Sequence, residues 1–154
     1  MTTTMKAAQI SQPSGDWELV ERVIPEPRAG QVRVKVEACG ICHSDVFVKE
    51  GLWPGLAYPR VPGHEIAGHI DAVGDNVRAW RPGQRVGVGW HGGHCFVCAQ
   101  CQRGDFAMCL NRKVTGIDFD GGYAEYMLAR AETLAALPDD VPAEESVGRS
   151  CARA

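Results

Sequence analysis

Short runs of alternating apolar and polar residues dominate the chain. The segment QVRVKVEA, residues 31–38, alternates without a break and places Val32, Val34 and Val36 on one face of a strand. Similar runs predict strands over residues 5–11, 17–24, 66–73 and 123–129, and another after the turn RPGQ. No long helical period precedes Pro142, where PAEES predicts a first helical turn. Short strands at this spacing favour a closed or sandwich-like β-structure.

Composition excludes several classes of partner. The 154 residues carry a net charge of −3, so no basic excess indicates nucleic acid. No apolar run is long enough to span a membrane, and the first residues, MTTTMKAAQI, lack the pattern of a secretory signal. These features predict a cytoplasmic protein without nucleic-acid or membrane partners. In that compartment cysteines stay reduced, which favours metal binding or catalysis over disulfides.

The stretch CGICH, from Cys39 to His43, has three interpretations. Cys-x-x-Cys-His is the attachment pattern of a c-type haem, Cys-x-x-Cys is a redox pair, and either cysteine can instead bind zinc. Haem attachment normally takes place outside the cytoplasm, so that interpretation is disfavoured. The residues alone do not choose between the other two.

A second stretch, CFVCAQCQRGDFAMC, has a clearer meaning. It spaces four cysteines as Cys-x2-Cys-x2-Cys-x7-Cys, namely Cys95, Cys98, Cys101 and Cys109. Four thiolates fill the tetrahedral coordination of zinc and leave no open position, which is typical of a structural site. An iron–sulfur cluster also takes four cysteines, but the bacterial run ends Cys-x3-Cys-Pro and this one does not. Four ordinary reduced cysteines are the remaining alternative. The spacing predicts a structural zinc loop over residues 92–112.

A looser group joins Cys42 to His64 and Glu65 in the stretch PGHE. One thiolate, one imidazole and a nearby carboxylate leave room at a metal for water or substrate. A lone histidine is more often a buried structural residue, but the preceding Pro62 and Gly63 indicate a fixed turn that favours a placed ligand.

Four motifs together resemble the zinc-dependent medium-chain alcohol dehydrogenases: GICHSD, PGHEIAGHIDAVG, the four-cysteine loop and GGYAEYMLA. The resemblance covers essentially the whole chain. It implies a mainly β fold, a GroES-like partly open β-barrel with short helices and a zinc-binding cysteine loop. Residues 1–140 would form the catalytic domain. Residues 141–154 would begin the connection to a Rossmann domain that binds NAD or NADP and is absent from this sequence.

The resemblance also implies roles for single residues. Cys42, His64 and Cys151 correspond to ligands of a catalytic zinc, although the residues around Cys151 do not match the family. The other implied roles are a carboxylate that approaches the zinc (Glu65), an acid that orients the histidine (Asp45), a hydroxyl that bonds the alcohol oxygen (Ser44), a contact to the cofactor pyrophosphate (His43) and walls of the substrate pocket (Trp53 and Trp90). On this interpretation CGICH is neither a haem site nor a redox pair, and Cys39 is a small buried apolar residue.

The implied activity is oxidation of a small alcohol to an aldehyde or ketone, with zinc as Lewis acid and hydride transfer to NAD or NADP. The whole family member is expected to be a homo-oligomer, and the 154 residues alone are expected to be inactive. The alternative is a catalytically inactive zinc-bound β-barrel that serves as a binding module. Phe47 stands where many family members have a histidine that ends a proton relay. The run GVGWHG, residues 87–92, matches a dinucleotide fingerprint but leads into the cysteine loop, so it is not predicted to bind cofactor.

Overall fold

The computed structural model describes residues 3–150 and is mainly β. Its strands are β1 (Thr4–Ile10), β2 (Trp17–Val23), β3 (Gln31–Cys39), β4 (Ile66–Val73), β5 (Arg85–Val88), β6 (His91–Gly93), β7 (Lys113–Val114), β8 (Tyr126–Arg130) and β9 (Leu134–Ala136). Its α-helices are α1 (Asp45–Lys49), α2 (Ala99–Gln102) and α3 (Ala143–Ser150). Short 3₁₀ turns cover Phe106–Met108 and Ala131–Thr133. None of the described helices is long and apolar enough to cross a membrane.

A curled antiparallel sheet forms the body of the molecule. It has five strands in the order β8-β3-β4-β5-β9. Strand β3 lies between β8 and β4 and pairs with both. The β1–β2 hairpin is a separate two-stranded sheet, joined to the rest by bridges from Ala7 to Ala124 and from Ile10 to Arg60.

The alternating pattern of β3 builds the core. Val32 and Val34 are fully buried and Val36 packs partly against the same cluster, as the sequence predicts. Every second residue of a strand points to the same face, so the neighbouring strands add their own apolar side chains to this layer. The other buried members of the core are Ile66, Ile70, Val86, Val88, Met127 and Ala129.

Several elements differ from the sequence prediction, which did not include α2, β6, β7 or β9. The strand predicted over residues 123–129 begins only at Tyr126. The residues before it turn aside because Gly121, Gly122 and Tyr123 donate backbone hydrogen bonds to the carbonyls of residues 61, 63 and 62. Helix α1 was not predicted, since its five residues are too short to show a helical period. The helix predicted from Pro142 is α3, which packs against β3, β4 and β5.

Candidate metal centres and active site

The four-cysteine loop is closed at its base by two short strands. Strands β6 and β7 pair antiparallel on either side of it. Within the loop, α2 carries Cys101 and the 3₁₀ turn Phe106–Met108 leads into Cys109. The loop buries little apolar surface, because Phe96, Val97 and Leu110 are exposed.

The four sulfur atoms have the spacing of a tetrahedral metal site. The Sγ atom of Cys98 lies 3.5 Å from that of Cys101 and 3.9 Å from that of Cys109, which lies 3.6 Å from that of Cys95. Four sulfurs held about 2.3 Å from one zinc ion lie about 3.8 Å apart. A disulfide would instead bring two sulfurs to about 2.05 Å. The donor set therefore fits zinc.

The thiols of the loop differ in acidity. Hydrogen bonds from Asn111 and from the backbone of residues 97 and 98 lower the pKa of Cys95 to about 6. Backbone hydrogen bonds, the first from Cys101, also lower the pKa of Cys98. Burial raises the pKa of Cys101 to about 12. Cys95 is thus a thiolate ready for a metal at neutral pH, and a bound cation would displace the proton of Cys101.

A second group lies at one end of the barrel. Cys42 precedes helix α1, and His64 and Glu65 immediately precede strand β4. The ligand atoms of these three residues lie within 4.8 Å of one another. Gly40 allows this approach, because a Cβ atom at residue 40 would lie 2.2 Å from Oε2 of Glu65. The sequence therefore predicted a group of residues that the fold does bring together.

Asp45 stands behind this group and is 4% exposed. Its Oδ1 lies 3.5 Å from Nδ1 of His64 and accepts a hydrogen bond from the backbone N–H of Gly63 at 3.2 Å. Its Oδ2 accepts from the backbone N–H of Cys42 at 3.0 Å. Burial opposes ionisation of Asp45, but hydrogen bonds from His64, Tyr123 and the Cys42 N–H outweigh it and lower its pKa. The ionised carboxylate therefore faces the Nδ1 side of the His64 imidazole.

Ser44 lies between the two candidate ligands. Its Oγ is 3.2 Å from Sγ of Cys42, to which it donates a hydrogen bond, and 3.2 Å from Nε2 of His64. The Ser44 hydrogen bonds are the main cause that lowers the pKa of Cys42. Burial opposes protonation of His64, but hydrogen bonds from its ring to Asp45 and Cys42 raise its pKa. A cysteine thiol of lowered pKa and an imidazole thus meet beside one hydroxyl.

Aromatic side chains cover one side of the group. Trp90 meets the ring of His64 edge to face, with centroids 4.8 Å apart. Trp53 packs against Trp90 at 5.8 Å. Both tryptophans contact a small apolar cluster of buried residues, Val48, Val114 and Ile117. The predicted pocket walls therefore lie beside the candidate ligands.

Other predicted residues are less closely tied to this group. His43 is exposed and meets the ring of Phe47 with centroids 6.2 Å apart. Cys151, the third predicted ligand, lies outside the described residues. The run GVGWHG passes from β5 into β6 and then into the cysteine loop.

Sequence analysis missed Tyr123, whose phenol donates a 2.7 Å hydrogen bond to Oδ2 of Asp45. The two residues are 78 positions apart, so no local spacing joins them. From the sequence alone, Tyr123 has only a place in the motif GGYAEYMLA and in a predicted strand, without a functional role.

A separate cavity of about 340 Å³ opens beside β8 and the β1–β2 hairpin. None of the predicted site residues within the described part of the chain lines it. Its charged groups are already paired, for example Arg22 with Asp120 and Lys113 with Asp118. The cavity therefore offers little free charge to a ligand.

Residues 28–139 match the family model of the alcohol dehydrogenase GroES-like domain. The chain belongs to the alcohol dehydrogenase family. The prediction of a GroES-like fold is confirmed by this match together with the curled sheet and the cysteine cluster.

Two relatives match almost the whole length of this chain. It is 47% identical over 152 residues, 99% of its length, to the alcohol dehydrogenase patD of Aspergillus clavatus. It is 37% identical over 149 residues, 96% of its length, to an alcohol dehydrogenase of Geobacillus stearothermophilus. These matches cover 39% and 44% of the two relatives, so the chain spans less than half of their length.

Solved structures agree with the fold. A cobalt- and zinc-bound thermostable alcohol dehydrogenase from Pyrobaculum aerophilum superposes with a TM-score of 0.86 at 31% identity, over 94% of this chain and 44% of that one. The alcohol dehydrogenase RspB of Escherichia coli CFT073, in complex with NADH, superposes with a TM-score of 0.84 at 39% identity, over 94% and 42%.

Proposed function

We propose that this chain supplies the zinc-binding catalytic site of an enzyme that oxidises a small alcohol to an aldehyde or ketone and transfers the hydride to NAD or NADP. The observation that supports this proposal most directly is the arrangement of side chains around His64. One of its ring nitrogens faces the Asp45 carboxylate, and the other faces the Ser44 hydroxyl beside the Cys42 thiol. A histidine oriented by a carboxylate is the usual arrangement of a metal-binding imidazole.

The donor set suits a catalytic zinc. Cys42 and His64 would hold the ion, with Glu65 close enough to take part when ligands exchange. Cys151 stays the predicted third ligand. Zinc at this position would act as a Lewis acid that makes the hydroxyl of a bound alcohol more acidic.

The proton of the alcohol then needs an acceptor, and the Ser44 hydroxyl lies beside both candidate ligands. Because its Oγ lies 3.2 Å from both candidate ligand atoms, an alcohol oxygen in the open position would lie within hydrogen-bonding reach of it. Ser44 would pass a proton outward as it accepts one. Phe47 cannot continue this transfer, so the proton would leave through water or the cofactor ribose.

Burial of Asp45 keeps this geometry fixed during turnover. Its carboxylate would hold the Nδ1 hydrogen of His64, which leaves Nε2 free to bind the metal. Trp90 and Trp53 would exclude water from one side of the substrate and contact its apolar part.

His43 is proposed to meet the cofactor pyrophosphate. It adjoins Ser44 in sequence, is exposed, and lies beside the exposed ring of Phe47, so a dinucleotide could approach it from solvent. The complex of RspB with NADH supports NAD or NADP as the cofactor class.

The four-cysteine loop is proposed to hold a second, structural zinc. Its four thiols fill a tetrahedron, so the ion would have no open position for substrate. Its role would be to order a loop that buries few apolar side chains of its own.

Metal analysis combined with a dehydrogenase assay tests this proposal in a protein that joins this chain to an NAD(P)-binding domain. We expect two zinc ions per chain and alcohol-dependent reduction of NAD or NADP that stops when the metal is removed. Activity that persists in the fully metal-free enzyme, or a metal-loaded enzyme inactive with both cofactors towards a panel of primary and secondary alcohols, would refute it.

A further inference from the structure

The motif GGYAEYMLA contains a tyrosine that the proposed reaction does not use. The phenol of Tyr123 donates to Oδ2 of Asp45 at 2.7 Å, and its oxygen lies 3.3 Å from the carbonyl oxygen of Gly40. The shorter contact, to an ionised acceptor, is the stronger one, so the hydroxyl hydrogen points to Asp45.

Close contacts on two sides fix the position of this ring. Gly63 has φ of +95°, and a Cβ atom at residue 63 would lie 2.8 Å from Cδ1 of Tyr123. The backbone N–H of Tyr123 also donates to the carbonyl of Pro62 at 3.1 Å. On the outer side, the ring meets Trp17 edge to face, with centroids 5.7 Å apart. The tyrosine is therefore fixed against the turn that carries His64.

Among the residues that the structure describes, four groups donate to the Asp45 carboxylate or face it as donors. Three of them belong to residues next to or within the candidate metal group: the N–H groups of Cys42 and Gly63 and the ring of His64. Only the phenol comes from a distant part of the chain, 78 positions away. Burial and the adjacent Asp45 carboxylate raise the pKa of Tyr123, so the phenol keeps its proton and acts as a donor.

We propose that Tyr123 is a positioning residue for the catalytic metal: its hydroxyl holds the Asp45 carboxylate in the orientation that in turn aims His64. This inference rests on the proposed function, because it requires a metal at Cys42 and His64. It adds a further residue, behind the carboxylate, to the group that orients the imidazole. Outer groups of this kind typically change metal affinity by about 10- to 100-fold.

The test is titration of the chain, with zinc already bound at the four-cysteine loop, by cobalt(II) alone. Absorption from thiolate to cobalt reports binding at Cys42, and Cys42→Ser identifies the band by losing it. We expect Tyr123→Phe to weaken cobalt binding about tenfold. Tyr126→Phe is the matched control, since that ring lies in β8 and faces Arg33 at 5.9 Å. It should leave the affinity within about twofold of the wild type.

A double substitution separates positioning from a general packing role. Asp45→Asn removes the charged carboxylate to which the phenol donates its hydrogen bond. In that background, adding Tyr123→Phe should change the cobalt affinity by less than about twofold. A circular dichroism spectrum and a thermal transition like those of the wild type show that each variant is folded. An undiminished tenfold loss in the Asp45→Asn background would overturn the inference, because Tyr123 would then act independently of the carboxylate.

The remaining outcomes distinguish the two proposals. If the wild type binds cobalt at Cys42 and Tyr123→Phe binds it equally well, the inference on Tyr123 is overturned and the proposed function stands. If the wild-type chain binds no cobalt at Cys42, the proposed metal site fails, and the inference fails with it.

Discussion

Replacement of Cys98 by serine tests whether the four-cysteine loop is held together by a metal. The Cys98 sulfur lies within 3.9 Å of two other loop sulfurs, so its loss opens one vertex of the tetrahedron. The loop cannot compensate with a core of its own, because Phe96 and Val97 are 54% and 73% exposed. We therefore expect Cys98→Ser to lose the zinc and the order of the loop together.

The size of the effect follows from the energetics of structural zinc. Binding at such sites contributes about 10–16 kcal/mol, which corresponds to a Kd between about 50 nM and about 2 pM. An equal share for each of four thiolates is about 2.5–4 kcal/mol, so the loss of one weakens binding by about 10²- to 10³-fold. A chelator that binds zinc about tenfold more weakly than the wild-type loop, at a concentration equal to that of the protein, should therefore strip the variant while it leaves the wild type mostly loaded.

Zinc per chain, measured after dialysis against that chelator, gives the occupancy. Trypsin gives the order of the loop, because Arg103 and Arg112 are exposed in it and should be cut faster in the variant. Cys39→Ser is the control, since it removes a cysteine outside the loop whose thiol lies 3.6 Å from the carbonyl of Gly40. Equal zinc retention and equal cleavage rates in Cys98→Ser and the wild type would refute the structural zinc site.

Three further predictions concern the two metal groups. In the full-length enzyme, Ser44→Ala should lower kcat by about 10²- to 10⁴-fold with metal retained, whereas His64→Ala should lose the catalytic metal; equal metal loss in both would contradict the separate roles. Because the pKa of Cys95 is lowered to about 6, protons should compete with zinc for this thiolate below that pH. A competition titration from about pH 8 to about pH 5 should therefore show that zinc affinity falls more steeply as the pH decreases. A flat profile would be inconsistent with thiolate ligands. Gly40→Ala would place a methyl group 2.2 Å from Oε2 of Glu65. This contact should lower the free energy of unfolding by about 1–3 kcal/mol, which thermal denaturation will detect. Unchanged stability would show that the Glu65 side chain moves aside freely.

The sequence predicted best those features that depend on residues close together in the chain. The alternation of residues 31–38 placed Val32 and Val34 in the core, because side-chain direction in a strand follows from position alone. The four cysteines lie within a single loop, so their spacing predicted a cluster that the fold then brings together. Helix α1 escaped prediction for the opposite reason, since its five residues carry no period to detect.

Residues distant in sequence were grouped by their ligand chemistry, and the family resemblance then supplied their roles. The number of residues between Cys42 and His64 matches no helical or strand period, so the spacing alone does not require the two side chains to meet. They meet because β3 and β4 pair, with Cys39 opposite Ile66, which brings the residues beyond both strand ends together. The register of two paired strands depends on the whole sheet, so it cannot be inferred from the sequence of β3 or β4 alone.

Tyr123 shows where both kinds of reasoning fail. As a residue in an alternating run it was assigned to a strand, and that assignment was wrong because hydrogen bonds to the carbonyls of residues 61–63 outcompete continued pairing. The same bonds bring its ring against Gly63 and its hydroxyl to Asp45. The departure from regular strand structure is therefore what places the phenol behind the candidate metal group. A break in a predicted element, beside a buried carboxylate, was the signal that pointed to function here.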